Sequence, residues 1–287
     1  MSSSAPVCLP PQPPLRRPRL ALPAHSCDTH VHVIGPTARY PLDPGRSYTP
    51  VVCTLAQYRD VMAACGIERA VLVQPSVYGT DNRQLLDALR EGGDAFRGVA
   101  VPHAGTSDAE LSLMHTLGVR GIRLNLMNPQ VVGIDEVVAL CARVAERGWH
   151  LQVQIRWGDA AQALLAQVAD RVRLPLVLDH MGRPPPSPQV PHALLDLLAR
   201  GRCWVKLSAP YRISAAEAPS TDVLSLVHAL VAANPDQLLW ASDWPHTELF
   251  TTTPDDAELV DLLPAWLGSE DLRHRVCVAN PARLYGF

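Results

Sequence analysis

The segment Ser26-Cys27-Asp28-Thr29-His30-Val31-His32-Val33 carries two histidines spaced two apart. On a strand, side chains two apart leave the same face, so a strand here aims both imidazoles at one place, where they can donate, accept or ligate. Val31, Val33 and Ile34 favour a strand and Gly35-Pro36 stops it, which puts both histidines at its C-terminal end. Taken alone, the pair leaves two readings open, core packing or a site. Two further segments bear on the choice. Asp179-His180 follows the apolar run Leu176-Val177-Leu178, and Ser242-Asp243 follows Leu238-Leu239-Trp240-Ala241 before Pro245 breaks the chain. A carboxylate beside imidazoles can hold and deprotonate water, and imidazole N–H groups can stabilise an oxyanion. Arg123, Asn125, Gln154, Arg156, Lys206 and Ser208 also stand at the ends of apolar runs.

Residues so far apart meet only on a scaffold that points run ends the same way. Short apolar runs at 27–34, 69–74, 97–102, 119–125, 149–155, 175–180, 203–208 and 237–242 alternate with segments of helical period near 55–65, 81–91, 108–117, 134–147, 159–170, 191–200, 221–233 and 255–267. Thr54 with Gln57 and Ser107 with Glu110 have capping-box spacing, and Gly66, Gly118, Gly148 and Gly201 separate a helix from the next strand. Eight such units predict an α/β fold, a (β/α)8 TIM-type barrel, distorted, with the polar run ends collected at one mouth. A doubly wound dinucleotide-binding sheet lacks its G-x-G-x-x-G fingerprint, and a serine esterase lacks its G-x-S-x-G elbow.

One barrel domain over residues 25–287 absorbs most of the 287-residue chain, preceded by a proline-rich arm, 1–24, with Arg16, Arg17 and Arg19, expected to be flexible. The 47% hydrophobic and 18% charged composition predicts a globular protein, and a net charge of −3 gives no reason to expect a nucleic-acid partner. Arginine supplies almost all the positive charge, Lys206 being the single lysine. Seven scattered cysteines with no C-x-x-C pairing suit a reducing compartment. The arm has no apolar run long enough for a signal-peptide core or a membrane span, so a cytoplasmic protein without a membrane partner is expected. Nothing in the sequence determines the oligomeric state.

H-x-H on the first strand, a histidine on the sixth and an aspartate on the eighth resemble the amidohydrolase superfamily. The segments Cys-Asp-Thr-His-Val-His, Gly-Val-Arg-Gly-Ile-Arg-Leu-Asn, Asp-His-Met-Gly-Arg-Pro, Val-Lys-Leu-Ser-Ala-Pro-Tyr-Arg, Ser-Asp-Trp-Pro-His and Asn-Pro-Ala-Arg-Leu-Tyr-Gly-Phe are similar to those of its lactonase branch, which includes hydrolases of 2-pyrone-4,6-dicarboxylate. The resemblance implies hydrolysis of a carboxylated lactone in aromatic catabolism. Asp243 is then the general base, with His30, His32 and His180 around the carbonyl. It places Arg123, Arg183 and Arg212 against substrate carboxylates, a task that suits the planar guanidinium fork. Tyr78, Gln154, Ser208, Tyr211 and His246 are further pocket candidates, able to hydrogen-bond ring oxygens.

Many amidohydrolases hold divalent ions. The carbamylated lysine that a binuclear site requires on the fourth strand is absent, and Gln154 stands where metal-dependent relatives carry histidine. His150 lies at the wrong end of its strand to replace it. The expectation is therefore catalysis without a required cofactor, the alternative being one zinc or manganese ion on His30, His32, His180 and Asp243. A sugar-acid lactonase, a metal-dependent decarboxylase and an inactive binding barrel are the competing functions.

Overall fold

In a computed structural model describing residues 5–127, 133–185, 190–214 and 221–287, the eight apolar runs become eight parallel strands. They are β1 (Cys27–Val31), β2 (Arg69–Val73), β3 (Phe96–Ala100), β4 (Val119–Asn125), β5 (His150–Gln154), β6 (Leu176–Leu178), β7 (Cys203–Leu207) and β8 (Leu238–Trp240), hydrogen-bonded in that order. Seven helices follow the first seven strands: α1 (Leu55–Cys65), α2 (Arg83–Gly92), α3 (Asp108–Thr116), α4 (Ile134–Val144), α5 (Asp159–Arg171), α6 (His192–Ala199) and α7 (Thr221–Ala233). Both capping boxes form, and Gly66, Gly118, Gly148 and Gly201 all take positive φ, as helix-to-strand turns demand. The fold is the expected (β/α)8 barrel. No described helix is long and apolar enough to cross a membrane.

The barrel is distorted at the β8–β1 seam, where side chains take over from a regular ladder. Thr29 Oγ1 donates to Trp240 O at 2.8 Å, Asp243 N to His30 O at 3.1 Å and His32 N to Trp244 O at 2.8 Å. Asp28, fully buried, accepts from His30 N at 3.2 Å, Ser242 N at 3.0 Å, Tyr58 OH at 3.1 Å and the Ser242 hydroxyl. Four donors on one carboxylate fasten the strand that carries the histidines to the turn that carries Asp243.

One apolar cluster lies between sheet and helices; a smaller one, including Val71, Val99, Val177 and Leu239, fills the lower barrel. His150 sits at this floor, its ring edge-on to Tyr285 with centroids 5.1 Å apart. Gly121 of β4 is obligatory there, because a Cβ would lie 2.5 Å from the imidazole.

Two expectations need correction. The helix expected over 255–267 splits into α8 (Asp256–Asp261) and α9 (Leu263–Leu267), and Pro264 accounts for the break. A C-terminal run of α10 (Glu270–His274), a π-helical turn (Arg275–Ala279) and α11 (Asn280–Tyr285), absent from the expected helices, covers the floor; Asn280 Nδ2 donates to Leu238 O at 2.7 Å. Over its described residues, the arm lies against the barrel. Arg16 and Arg19 both pair with Asp261, at 2.9 and 3.3 Å, and Cys8 is buried. Pro186, Ser187 and Pro188 of the proline-rich loop after β6 lie outside the described residues.

Candidate active site

The strands that carry the key groups end early, and left-handed backbone takes over. β6 stops at Leu178, and His180, Met181, Gly182 and Arg183 follow with φ of 49°, 55°, 72° and 47°. Asp243, beyond β8, has φ 71°. Such a conformation costs an L-residue roughly 1 kcal/mol and survives only where neighbours hold it. Trp157 N does so after β6, donating to Gly182 O at 2.9 Å. The outcome is that His180 and Asp243 turn toward β1 instead of continuing their strands.

His30 and His32 meet edge to face, their Nε2 atoms 3.3 Å apart, although His32 lies one residue past the end of β1. His180 stacks obliquely on His30 with centroids 4.8 Å apart. Oδ1 of Asp243 lies 3.8 Å from His30 Nε2 and 3.6 Å from His180 Nε2, and accepts no hydrogen bond among the described residues. Its other oxygen accepts from Arg212 Nε at 2.7 Å and Tyr211 OH at 2.8 Å. One edge of the carboxylate is thus clamped while the other confronts imidazoles.

The remaining ring nitrogens decide what those imidazoles can do. His32 Nδ1 lies 2.7 Å from Val73 O, which only accepts, so the proton sits on Nδ1 and Nε2 carries a lone pair. His30 Nδ1 lies 3.2 Å from Asp179 Oδ1 and 3.4 Å from the ammonium of Lys206, which can only donate, so its partners do not assign its proton as Val73 O assigns that of His32. Burial lowers both rings' pKa, His32 to about 3 and His30 well below its usual value, so both are neutral at pH 7. His32 therefore faces the pocket as an acceptor, its Nε2 also 3.3 Å from His30 Nε2. His180 differs. Its Nδ1 lies 2.9 Å from Ser208 Oγ, whose hydroxyl can donate there and leave Nε2–H for the pocket. Burial brings the His180 pKa down to about 4.

Beneath the histidines lies a buried charge system. Asp179 faces His30 at 3.2 Å, Lys206 Nζ at 3.7 Å and Arg123 at 3.4 Å. Burial would raise its pKa, but His30, Lys206 and Arg123 outweigh burial and hold it well below the carboxylate range. Lys206, whose pKa burial lowers to about 8, also donates to Thr29 O and Gln152 Oε1, both at 2.7 Å. For Asp243, burial is likewise outweighed, first by Arg212 and then by His180, His30 and His32, and the carboxylate stays ionised.

A cavity of about 370 Å³ opens above this cluster, and His32, His180, Asp243, Arg123, Gln154 and Arg212 are among its walls. Arg123 is largely committed, donating to Gln74 O at 3.0 Å and Gln154 Oε1 at 2.7 Å. Arg183 sits beside the cavity; its Nη1 contacts Met127 Sδ at 3.2 Å, and it has no carboxylate within 4 Å among the described residues. Tyr211, Ser208 and His246 are not walls but supports: Tyr211 OH lies 3.0 Å from His246 Nδ1, and His246 Nε2 lies 3.2 Å from Asp256. Tyr78 is structural, its hydroxyl accepting from Gly35 N at 3.0 Å. Ser47, Tyr48, Ser76 and Thr247 form a hydroxyl-bearing wall that sequence reasoning missed, because they come from loops that lack periodicity.

The cluster fits a divalent ion. One ligand atom each from His30, His180 and Asp243 lie within 4.8 Å of one another, while His32 falls outside that set. The unsatisfied Asp243 Oδ1 and an imidazole nitrogen from each of His30 and His180 are the donor types such an ion takes.

Residues 27–287 match the model of the amidohydrolase family. The chain is 37% identical over 293 residues to a 4-sulfomuconolactone hydrolase of Rhizobium radiobacter, with 96% of each chain covered. It is 34% identical over 284 residues to a 2-pyrone-4,6-dicarboxylate hydrolase of Comamonas testosteroni, covering 94% of this chain and 92% of that one. Among solved structures, an Agrobacterium tumefaciens protein in its apo form superposes with a TM-score of 0.83 at 29% identity, covering 94% of this chain and 98% of that one. With the H-x-H pair, His180 and Asp243 assembled at the C-terminal mouth of a (β/α)8 barrel, the chain belongs to the amidohydrolase family.

Proposed function

We propose that the protein hydrolyses a carboxylated lactone, with Asp243 as the base that activates water. The observation that carries this reading is the half-clamped carboxylate: Arg212 and Tyr211 hold Oδ2, and Oδ1 is left for solvent between His30 and His180. A water bonded to Oδ1 has its second hydrogen directed to the lone pair of His32, which leaves an oxygen lone pair for the substrate carbonyl. As the water oxygen bonds to the carbonyl carbon, its proton passes to Asp243 and His180 Nε2–H meets the developing oxyanion. Collapse breaks the ring C–O bond, Asp243 returns the proton to the departing oxygen, and the ring-opened carboxylic acid that results loses its remaining proton to solvent.

Arg183 and Arg123 supply positive charge for the substrate's carboxylate. In this scheme no metal is required. Where a divalent ion occupies His30, His180 and Asp243, it would supply Lewis-acid polarisation of the carbonyl. Relatives named for sulfomuconolactone and pyrone-dicarboxylate hydrolysis support an anionic lactone as substrate.

The hydroxyl wall favours a second reading, a sugar-acid lactone. Tyr48, Ser47, Ser76 and Thr247 can pair with substrate hydroxyls, while Arg212 is engaged by Asp243 and is not free for a carboxylate.

The test is a panel of 2-pyrone-4,6-dicarboxylate, muconolactone and a sugar-acid lactone, run on protein of measured metal content before and after chelation. Turnover of an anionic lactone that survives chelation supports the scheme. No turnover of any lactone, with or without added zinc or manganese, rejects it.

A further inference from the structure

We infer that the N-terminal arm is a clasp that holds two pocket loops in register and so sets substrate affinity. Those loops come from opposite ends of the chain. Gly45, Ser47 and Tyr48 follow β1, and Thr247 and Glu248 follow β8; all five line the cavity.

Residues 5–9 run between the loops and bond to both. On the β1 side, Thr49 N donates to Pro6 O at 2.7 Å, Thr49 Oγ1 to Ala5 O at 3.1 Å and Cys8 N to Thr49 O at 2.9 Å. On the β8 side, Leu9 N donates to Leu249 O at 3.0 Å, and Glu248 N donates to Cys8 Sγ at 3.3 Å. Cys8 itself is buried at the junction.

The β8 loop needs such support. His246 and Glu248 are held at φ of 61° and 62°, close behind Asp243 at 71°. Left-handed non-glycine residues persist only where surroundings over-determine them, and the arm meets this loop at Glu248 and Leu249. Farther along, the arm is fastened independently: Gln12 Nε2 donates to Thr253 O, Arg16 pairs with Asp255 and Asp261 at 3.1 and 2.9 Å, and Arg19 N donates to Asp261 at 2.7 Å. Each surface ion pair is weak alone, but four bonds to Asp261, from Arg16 Nη1, Arg19 N and Nε and Leu20 N, hold a chain already stiffened by proline.

The experiment compares the full chain with a deletion of residues 2–9, which keeps the Arg16 and Arg19 anchors, and with Leu9→Pro, which removes only the bond to Leu249. Hydrogen–deuterium exchange requires no substrate. In both variants, amides in segments 45–50 and 246–250 should exchange at least about tenfold faster while the strands keep their protection. The kinetic arm rests on the lactone reading. On whichever panel lactone the full chain hydrolyses, KM should rise about tenfold with kcat within about threefold of the parent. Unchanged exchange at both loops overturns the clasp, as does faster exchange with an unchanged KM. A full chain that hydrolyses no lactone defeats the lactone reading and leaves the exchange test of the clasp standing. If the deletion fails to fold, Leu9→Pro alone decides between these outcomes.

Discussion

Arg212 and Asp243 form a buried ion pair on one side of the carboxylate only: Nε lies 2.7 Å from Oδ2, and Oδ1 confronts His30 and His180. The pair therefore aims the carboxylate proposed as the base as well as keeping it ionised. In Arg212→Met, Asp243 loses the strongest influence holding its pKa down, and its pKa rises. Because the base must be ionised, the acidic limb of the kcat/KM profile should move to higher pH. Folding stability should fall by about 3–5 kcal/mol, since an unpaired charge is left buried. A pH–rate profile and a urea melt check both; an unmoved acidic limb contradicts the assignment.

Arg183 and Tyr48 should separate the two substrate readings. Arg183→Met removes a guanidinium that no described carboxylate pairs, and KM for an anionic aromatic lactone should rise about tenfold or more, as for a lost charged hydrogen bond. Tyr48→Phe should leave that KM within about threefold while weakening a sugar-acid lactone by about three- to tenfold, the effect of one neutral hydrogen bond. The reversed pattern across both variants assigns the pocket to hydroxylated substrates.

Acid should destabilise the fold well above the pKa range of ordinary carboxylates. Burial lowers His32 and His150 to about 3 and His180 to about 4. Unfolded imidazoles bind protons below about 6.5 while these folded ones stay neutral, so stability is lost as pH falls from about 6.5 towards 4. Asp28 opposes this. Burial raises it to about 6, so its folded carboxyl takes up a proton before the unfolded one does and adds stability over part of the same window. With His30, also held well below its usual value, four buried histidines against one carboxyl leave a net loss. The urea midpoint should fall between pH 7 and pH 5; a flat profile contradicts it.

The eight strands, both capping boxes and the convergence of His30, His32, His180 and Asp243 were legible because each rests on a local pattern: a short apolar run, cap spacing, the period-two histidine pair, or a polar residue ending an apolar run. Tautomers were not legible. Whether His32 donates or accepts at the pocket depends on Val73 O, forty-one residues away in sequence. The Arg212–Asp243 pair was not legible either, because the two residues are thirty-one apart in sequence. Asp28 and Asp179 stand beside the histidines in sequence, yet their support roles emerge only once β8 and β7 close around them. The arm's contacts were not legible because its partners, Thr49, Leu249 and Asp261, are spread across the chain.

The most direct measurement is single-turnover hydrolysis of the panel lactone by Asp243→Asn, which keeps the side chain's size and an oxygen but removes its basicity. The rate of the chemical step should fall by about a thousandfold or more with binding little changed, as expected when a base is lost from the transition state. A rate within about tenfold of the parent would show that Asp243 does not activate water.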